Sequence, residues 1–132
     1  MDAATTQLVR HRADNRCEYC RLFQSFSDLR FHVEHIVARQ HGGPDDPDNL
    51  ALACPECNLH KGPNLTGIDP ATNQVTPLFH PRREKWEDHF ALVEGRIIGK
   101  TPTGRTTAWL LTMNVGDNLR IRQRLARLGL IG

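Results

Sequence analysis

A small α+β fold is predicted, on three observations. The 132 residues are 39% hydrophobic, enough for one modest core and for one domain rather than two. Apolar residues recur in short stretches of both periods, alternating around Val33 and helically spaced from Leu119 to Leu128. Ten Gly and eight Pro, against only 6% aromatic residues, set these stretches among many turns. A fold with so small a core needs a cross-link to hold it.

Thr5 or Thr6 is expected to cap a first helix running toward Ala13, with Leu8, Val9 and Ala13 inward. A strand is expected over residues 31–37, where Phe31, Val33 and Ile36 alternate loosely with polar residues. Residues 41–49, dense in Gly, Pro and Asp, read as a surface loop. A second strand over 49–53 comes next, then a helix over 55–61 that begins at Pro55 and stops at Gly62 and Pro63. Residues 63–81 are turn-rich. Trp86, Phe90 and Val93 give a core-facing strip, residues 96–106 read as a hairpin, and Asp117 caps a last helix ending near Gly129. No repeat or linker divides residues 1–132, which read as one domain with a core over about 15–65 and an extension over about 66–132.

The four cysteines form two CxxC pairs, Cys17 with Cys20 and Cys54 with Cys57, with none left over. Two residues between thiolates let one tight turn aim both sulfurs at a common point, and two such knuckles complete the tetrahedron that Zn²⁺ prefers. Disulfides or a redox CxxC fit less well in a reducing compartment with two matched pairs. Four thiolates leave no open position, so the zinc is expected to be structural, pinning the segment between the pairs at both ends.

No apolar run approaches the roughly 20 residues of a membrane span. The N-terminus shows no secretory signal, and a cytoplasmic location is the default. The net charge is only +2, but its sign is uneven. Residues 26–69 collect acids, whereas the C-terminal part collects Arg82, Arg83, Lys85, Arg105, Arg120, Arg122, Arg124 and Arg127. That asymmetry suits a phosphate-bearing polymer, and solvated helix faces would produce it equally well.

Between the cysteine pairs stand Phe31, His32, Val33, Glu34, His35 and Ile36, then Gly42, Gly43, Asn49 and Leu50; past the second pair come Asn58, Leu59, His60, Lys61 and Gly62. An acid beside a His is followed by an Asn fourteen positions after the His and a second Asn nine beyond it, next to a CxxC and a Lys-Gly. In this order and spacing, residues 17–62 resemble the HNH endonuclease family. The resemblance implies a ββα-metal (His-Me finger) core, with His35 activating water and Asn49 orienting it. Glu34 and Asn58 would hold one divalent ion, Mg²⁺ or another such as Mn²⁺ or Ni²⁺. The third motif position is Asn58 rather than His, and an amide oxygen is a reasonable ligand for a hard cation. Segments 78–82, 86–90 and 98–106 look similar to the C-terminal extension of small stand-alone bacterial HNH proteins.

The chemistry expected of such a site is phosphodiester hydrolysis. A base near neutrality generates hydroxide, and His has the right ordinary pKa. A cation offsets the charge that grows on the leaving oxygen. Asn49 can fix a ring tautomer or clamp the loop across a backbone carbonyl. Lys61, Arg105, His80 and Arg82 are the expected nucleic-acid contacts, the arginines of the last helix are further candidates, and His32, His41 and His89 could line the groove. The expected substrate is DNA, double-stranded, with RNA left open, cut by a monomer or a homodimer. The alternative is a catalytically inactive, zinc-stabilised nucleic-acid-binding module.

Overall fold

The computed structural model describes all 132 residues. Three two-stranded antiparallel sheets are threaded between five helices. Helix α1 (Ala3–Arg12) is capped by Asp2, whose carboxylate accepts the Thr5 N–H at 2.8 Å. The cap thus lies ahead of the threonines expected to supply it, because a carboxylate satisfies the first free amides and also suits the helix dipole. Val9 and Ala13 face the core, while Leu8 is exposed.

Strands β1 (His32–His35) and β2 (Leu50–Ala53) pair with His35 opposite Leu50 and His32 opposite Ala53. Both are shorter than the expected strands, because Asn49 closes a 3₁₀ turn and Ile36 leaves the ladder. Every β2 residue is buried, and the strand lies beneath α1 and helix α2 (Pro55–Lys61). Helix α2 matches the expected 55–61 span: Cys54 caps it, Pro55 opens it and Gly62 closes it with φ 51°.

Strands β3 (Thr66–Ile68) and β4 (Val75–Pro77) form a small hairpin within the turn-rich stretch. Trp86 and Phe90 open two different elements, helix α3 (Trp86–His89) and strand β5 (Phe90–Val93). The second hairpin joins β5 to β6 (Arg96–Gly99) through Glu94 and Gly95, both at positive φ. The expected hairpin over 96–106 is therefore displaced toward the N-terminus. Beyond Gly99 the chain turns into helix α4 (Pro102–Leu110), because Thr101 caps it through the Gly104 N–H and Pro102 takes its first turn.

Helix α5 (Gly116–Arg127) starts just ahead of Asp117, which sits in its first turn, pairs with Arg120 and does not cap the helix. Its Arg122 is buried and donates to the carbonyls of Gly95 and Met113. A Cβ on Gly95 would meet the α5 backbone at 2.5–2.6 Å, so the turn and the helix are in direct backbone contact.

A single cluster of 20 buried residues joins the two parts of the chain, from Val9, Tyr19, Phe31 and Leu52 to Phe79, Phe90, Ile97 and Met113. Each fully buried Leu, Ile or Phe adds about 1.5–3 kcal/mol of transfer free energy. The Trp86 indole N–H donates to the Tyr19 carbonyl at 2.8 Å, tying the extension to the first cysteine knuckle. No helix is long and apolar enough to cross a membrane.

Candidate metal centre and candidate active site

Cys17, Cys20, Cys54 and Cys57 are all buried, and their sulfurs lie within 4.8 Å of one another. The knuckles are built from the backbone. Asp14, Asn15 and Arg21 take left-handed conformations around the first pair, the Cys17 N–H bonds Leu22 O at 2.8 Å, and the Arg21 N–H bonds Cys17 O at 3.0 Å. Amides at Cys20 and Cys57, and the Asn118 side chain, each donate to a cysteine sulfur at 3.4 Å. Hydrogen bonds with Cys17, Cys20 and Cys57 hold the Cys54 thiol far below its ordinary pKa, while contacts within the same cluster push Cys20 and Cys57 up. Four sulfurs this close are poorly compensated by protons alone, and a soft tetrahedral cation resolves the crowding. The donor set fits zinc in a structural role.

His35 ends β1 with its side chain 17% exposed. Its Nε2 lies 2.7 Å from Asp45 Oδ1, and the same oxygen accepts from Arg39. The His35 hydrogen bond, and then that of Arg39, keep the Asp45 carboxyl below its ordinary pKa. Asp45 carries no signal in the sequence beyond its place in a Gly/Pro-rich loop ten residues after His35.

Asn49 is buried and makes no bond to the His35 ring. Its Oδ1 accepts the Val37 N–H, and its Nδ2 donates to the carbonyls of Val37 and Pro44, all at 2.9 Å. Of the two roles open to its amide, the structure displays the clamp across backbone carbonyls. Gly43 is packed against this clamp: a Cβ there would lie 1.7 Å from Val37 O and 2.9 Å from Asn49 Nδ2. The loop that carries Asp45 is thereby fixed relative to the end of β1.

Glu34 points the opposite way from His35, into the protein, and is 7% exposed. It accepts the Tyr19 hydroxyl and pairs with Lys61 Nζ at 3.5 Å. Burial pushes the Glu34 carboxyl up despite the opposing Lys61 charge. Burial, and then Glu34, push the Tyr19 phenol up, so it stays a donor. Lys61 is itself 2% exposed, and its ammonium donates to Ile36 O at 2.9 Å. The reason is helical spacing, since Lys61 lies one turn of α2 beyond the buried Cys57 and shares its face. Lys61 therefore does not stand at the surface to meet a phosphate. Glu34, with its oxygens turned to Tyr19 and Lys61, does not fit a divalent ion in this arrangement; Asn58 lies half-buried on α2.

The other expected contacts are engaged within the protein but reach the surface more than Lys61 does, Arg82 as part of the lining of an open cleft. Arg105 forms a two-toothed pair with the fully buried Asp69, at 3.1 and 2.8 Å. Arg82 pairs with Glu18, and burial, with a smaller effect of the nearby Arg12 charge, lowers its guanidinium to about 10. His80 Nδ1 accepts the Arg82 N–H at 3.2 Å. His89 bridges Glu84 and Thr101 at 2.9 and 2.7 Å.

Compared with known proteins, residues 17–64 match the family model of the HNH endonuclease. No curated protein and no solved structure matches the chain. The match begins at the first knuckle cysteine and runs past the end of α2, enclosing both cysteine pairs, His35 and both asparagines. Residues 17–64 thus carry an HNH endonuclease domain match, and the four cysteines placed to bind a metal are consistent with its zinc-type form.

Proposed function

We propose that this chain is a metal-dependent endonuclease that hydrolyses phosphodiester bonds in DNA, with His35 as general base. The observation that supports it most is the hydrogen bond between His35 Nε2 and Asp45. With Nε2–H donated to Asp45, the Nδ1 lone pair is left as the proton acceptor for water. Hydroxide so formed attacks phosphorus as the bond to the leaving sugar oxygen breaks and that oxygen takes up a proton from solvent, and the imidazolium that results is stabilised by the Asp45 carboxylate, much as a carboxylate serves the histidine of a hydrolytic triad. Asn49 acts at one remove, by fixing the loop that presents Asp45.

The resemblance assigns a divalent ion, Mg²⁺ or another such as Mn²⁺ or Ni²⁺, to Glu34 and Asn58. Glu34, compensated by Lys61, is not free to hold it as it stands. That observation favours a second reading, a nucleic-acid-binding module without cleavage. Plasmid DNA incubated with zinc-loaded protein and Mg²⁺ or Mn²⁺ separates the two. Cleavage that disappears in His35→Ala, with zinc content and melting temperature retained, supports the nuclease; cleavage surviving in that variant sinks the mechanism. Salt-dependent binding with no cleavage under any divalent metal supports the module. Nicked circles are the product of a monomer, and linear plasmid from the outset that of a homodimer. A reducing cytoplasmic setting is the one we assign, since it keeps four thiols available for metal.

A further inference from the structure

An open cleft of about 500 Å³ is lined by Arg12, Asp48, Pro81, Arg82 and Arg83, with Pro81 the only apolar residue among them. A smaller cavity of about 160 Å³ shares Arg12 and Pro81 and adds Arg16 and Arg21. Five guanidiniums thus converge from α1, the first knuckle and the segment before α3. The acids among them are outnumbered, although Glu18 neutralises Arg82 within the lining and Glu87 pairs with Arg21 at 3.0 Å. Glu18 pairs with Arg82 and also accepts the Leu52 N–H, and Glu84 pairs with His89. Asp48 is the remaining carboxylate of the larger cleft. The Nε atoms of Arg21 and Arg82 are enclosed yet have no hydrogen-bond partner, an unusual state for buried donors.

The cleft is coupled to the candidate active site through the backbone. Arg12 donates to Leu50 O at 2.8 Å and to Pro47 O at 3.0 Å. Leu50 is the residue opposite His35 across the β1–β2 pair. The arginine surface therefore begins one rung away from the strand end that carries the base.

We infer that the Arg12–Arg82–Arg83 cleft binds the phosphodiester backbone of the DNA substrate, holding a stretch of strand beside His35. The inference rests on the nuclease reading for the identity of the polymer. Forked guanidiniums match phosphate oxygens in pairs, and a lining of three arginines with Pro81 as its only apolar residue suits a sugar–phosphate backbone better than peptide side chains. Such contacts fix register and carry no base preference.

The test is binding of the zinc-loaded His35→Ala protein to a short DNA duplex between roughly 50 and 200 mM salt. Arg12→Gln and Arg83→Gln are each expected to flatten the slope of log K against log salt by about 0.9, one phosphate contact. Arg12 also ties two carbonyls of the fold, so Arg83, exposed and free of such duties, is the cleaner variant. Arg96→Gln, an exposed arginine on β6, is expected to leave the slope as it was. An unchanged slope in Arg83→Gln, or a polyglutamate peptide competing as well as the duplex does, would overturn the inference. If the variants bind normally while wild type cleaves, the cleft assignment fails and the nuclease stands; if the slope flattens but wild type never cleaves, the reverse holds.

Discussion

The carboxylate of Asp45, 2.7 Å from His35 Nε2, is also the acceptor for the Arg39 guanidinium at 3.0 and 3.2 Å. An exposed acid held from two sides keeps the imidazole in one orientation. Asp45→Ala is expected to lower kcat for plasmid cleavage by about tenfold or more, short of the roughly 10²–10⁴ carried by the base itself. Unchanged kcat in Asp45→Ala would remove Asp45 from the mechanism.

Asn49 holds the loop before it through three hydrogen bonds of 2.9 Å. Asn49→Ala leaves part-buried backbone groups of Val37 unpaired and is expected to cost about 1–3 kcal/mol. Gly43→Ala should be worse, because its methyl group has no room beside Val37 O. Urea unfolding of the two variants, with zinc content monitored, gives the ranking.

Lys61 and Glu34 neutralise each other in the interior. Lys61→Met leaves the buried Glu34 carboxylate without a counter-charge, held by the Tyr19 hydroxyl alone, and such losses run to about 3–5 kcal/mol. The double variant Lys61→Met with Glu34→Gln should recover most of that stability. Equal stability of single and double variants in denaturant titrations would show that the pair is not coupled.

Removal of zinc should unfold more than the knuckles. Cys54 caps α2 and comes directly after the fully buried β2, so chelation or Cys54→Ser is expected to abolish cooperative thermal unfolding. Substitution with Co²⁺ should give the absorption bands of a tetrahedral tetrathiolate at one metal per chain.

The Asp69–Arg105 pair predicts an acid limb of stability. Hydrogen bonding from Arg105 holds Asp69 below its ordinary pKa. The stability it adds is complete above the unfolded value of about 3.9 and is lost as pH falls through the lower folded value. Asp69→Asn should therefore be less stable than wild type at neutral pH, with the gap narrowing below about pH 4 in melts followed by circular dichroism.

The zinc knuckles, β2 and α2 are legible in the sequence because local chemistry decides them: paired thiols, a continuous apolar run, and Pro55 and Gly62 at the two helix ends. The hairpin of the extension is harder to place because Lys100 to Thr103 looks like a turn in isolation, yet Thr101 and Pro102 start a helix once Gly104 can pack against His89 O. Lys61 and Arg122 read as surface cations on residue type alone. Their burial depends on carbonyls supplied by Ile36, Gly95 and Met113, which no local pattern reveals. Asp45 escapes a reading of the chain for the same reason, since its meaning comes from the clamp at Asn49 that brings its loop back to His35.

The indole of Trp86, hydrogen-bonded to Tyr19 and packed on Phe90 with ring centroids 5.0 Å apart, bears on the portability of the HNH segment. Tyr19 in turn holds Glu34, the neighbour of His35. A protein engineer who cut out residues 17–64 to fuse them to a foreign DNA-recognition module would remove the cover over this chain of contacts. In this architecture the motif is not a cassette, and any chimera that works will have to bring a substitute for Trp86 with it.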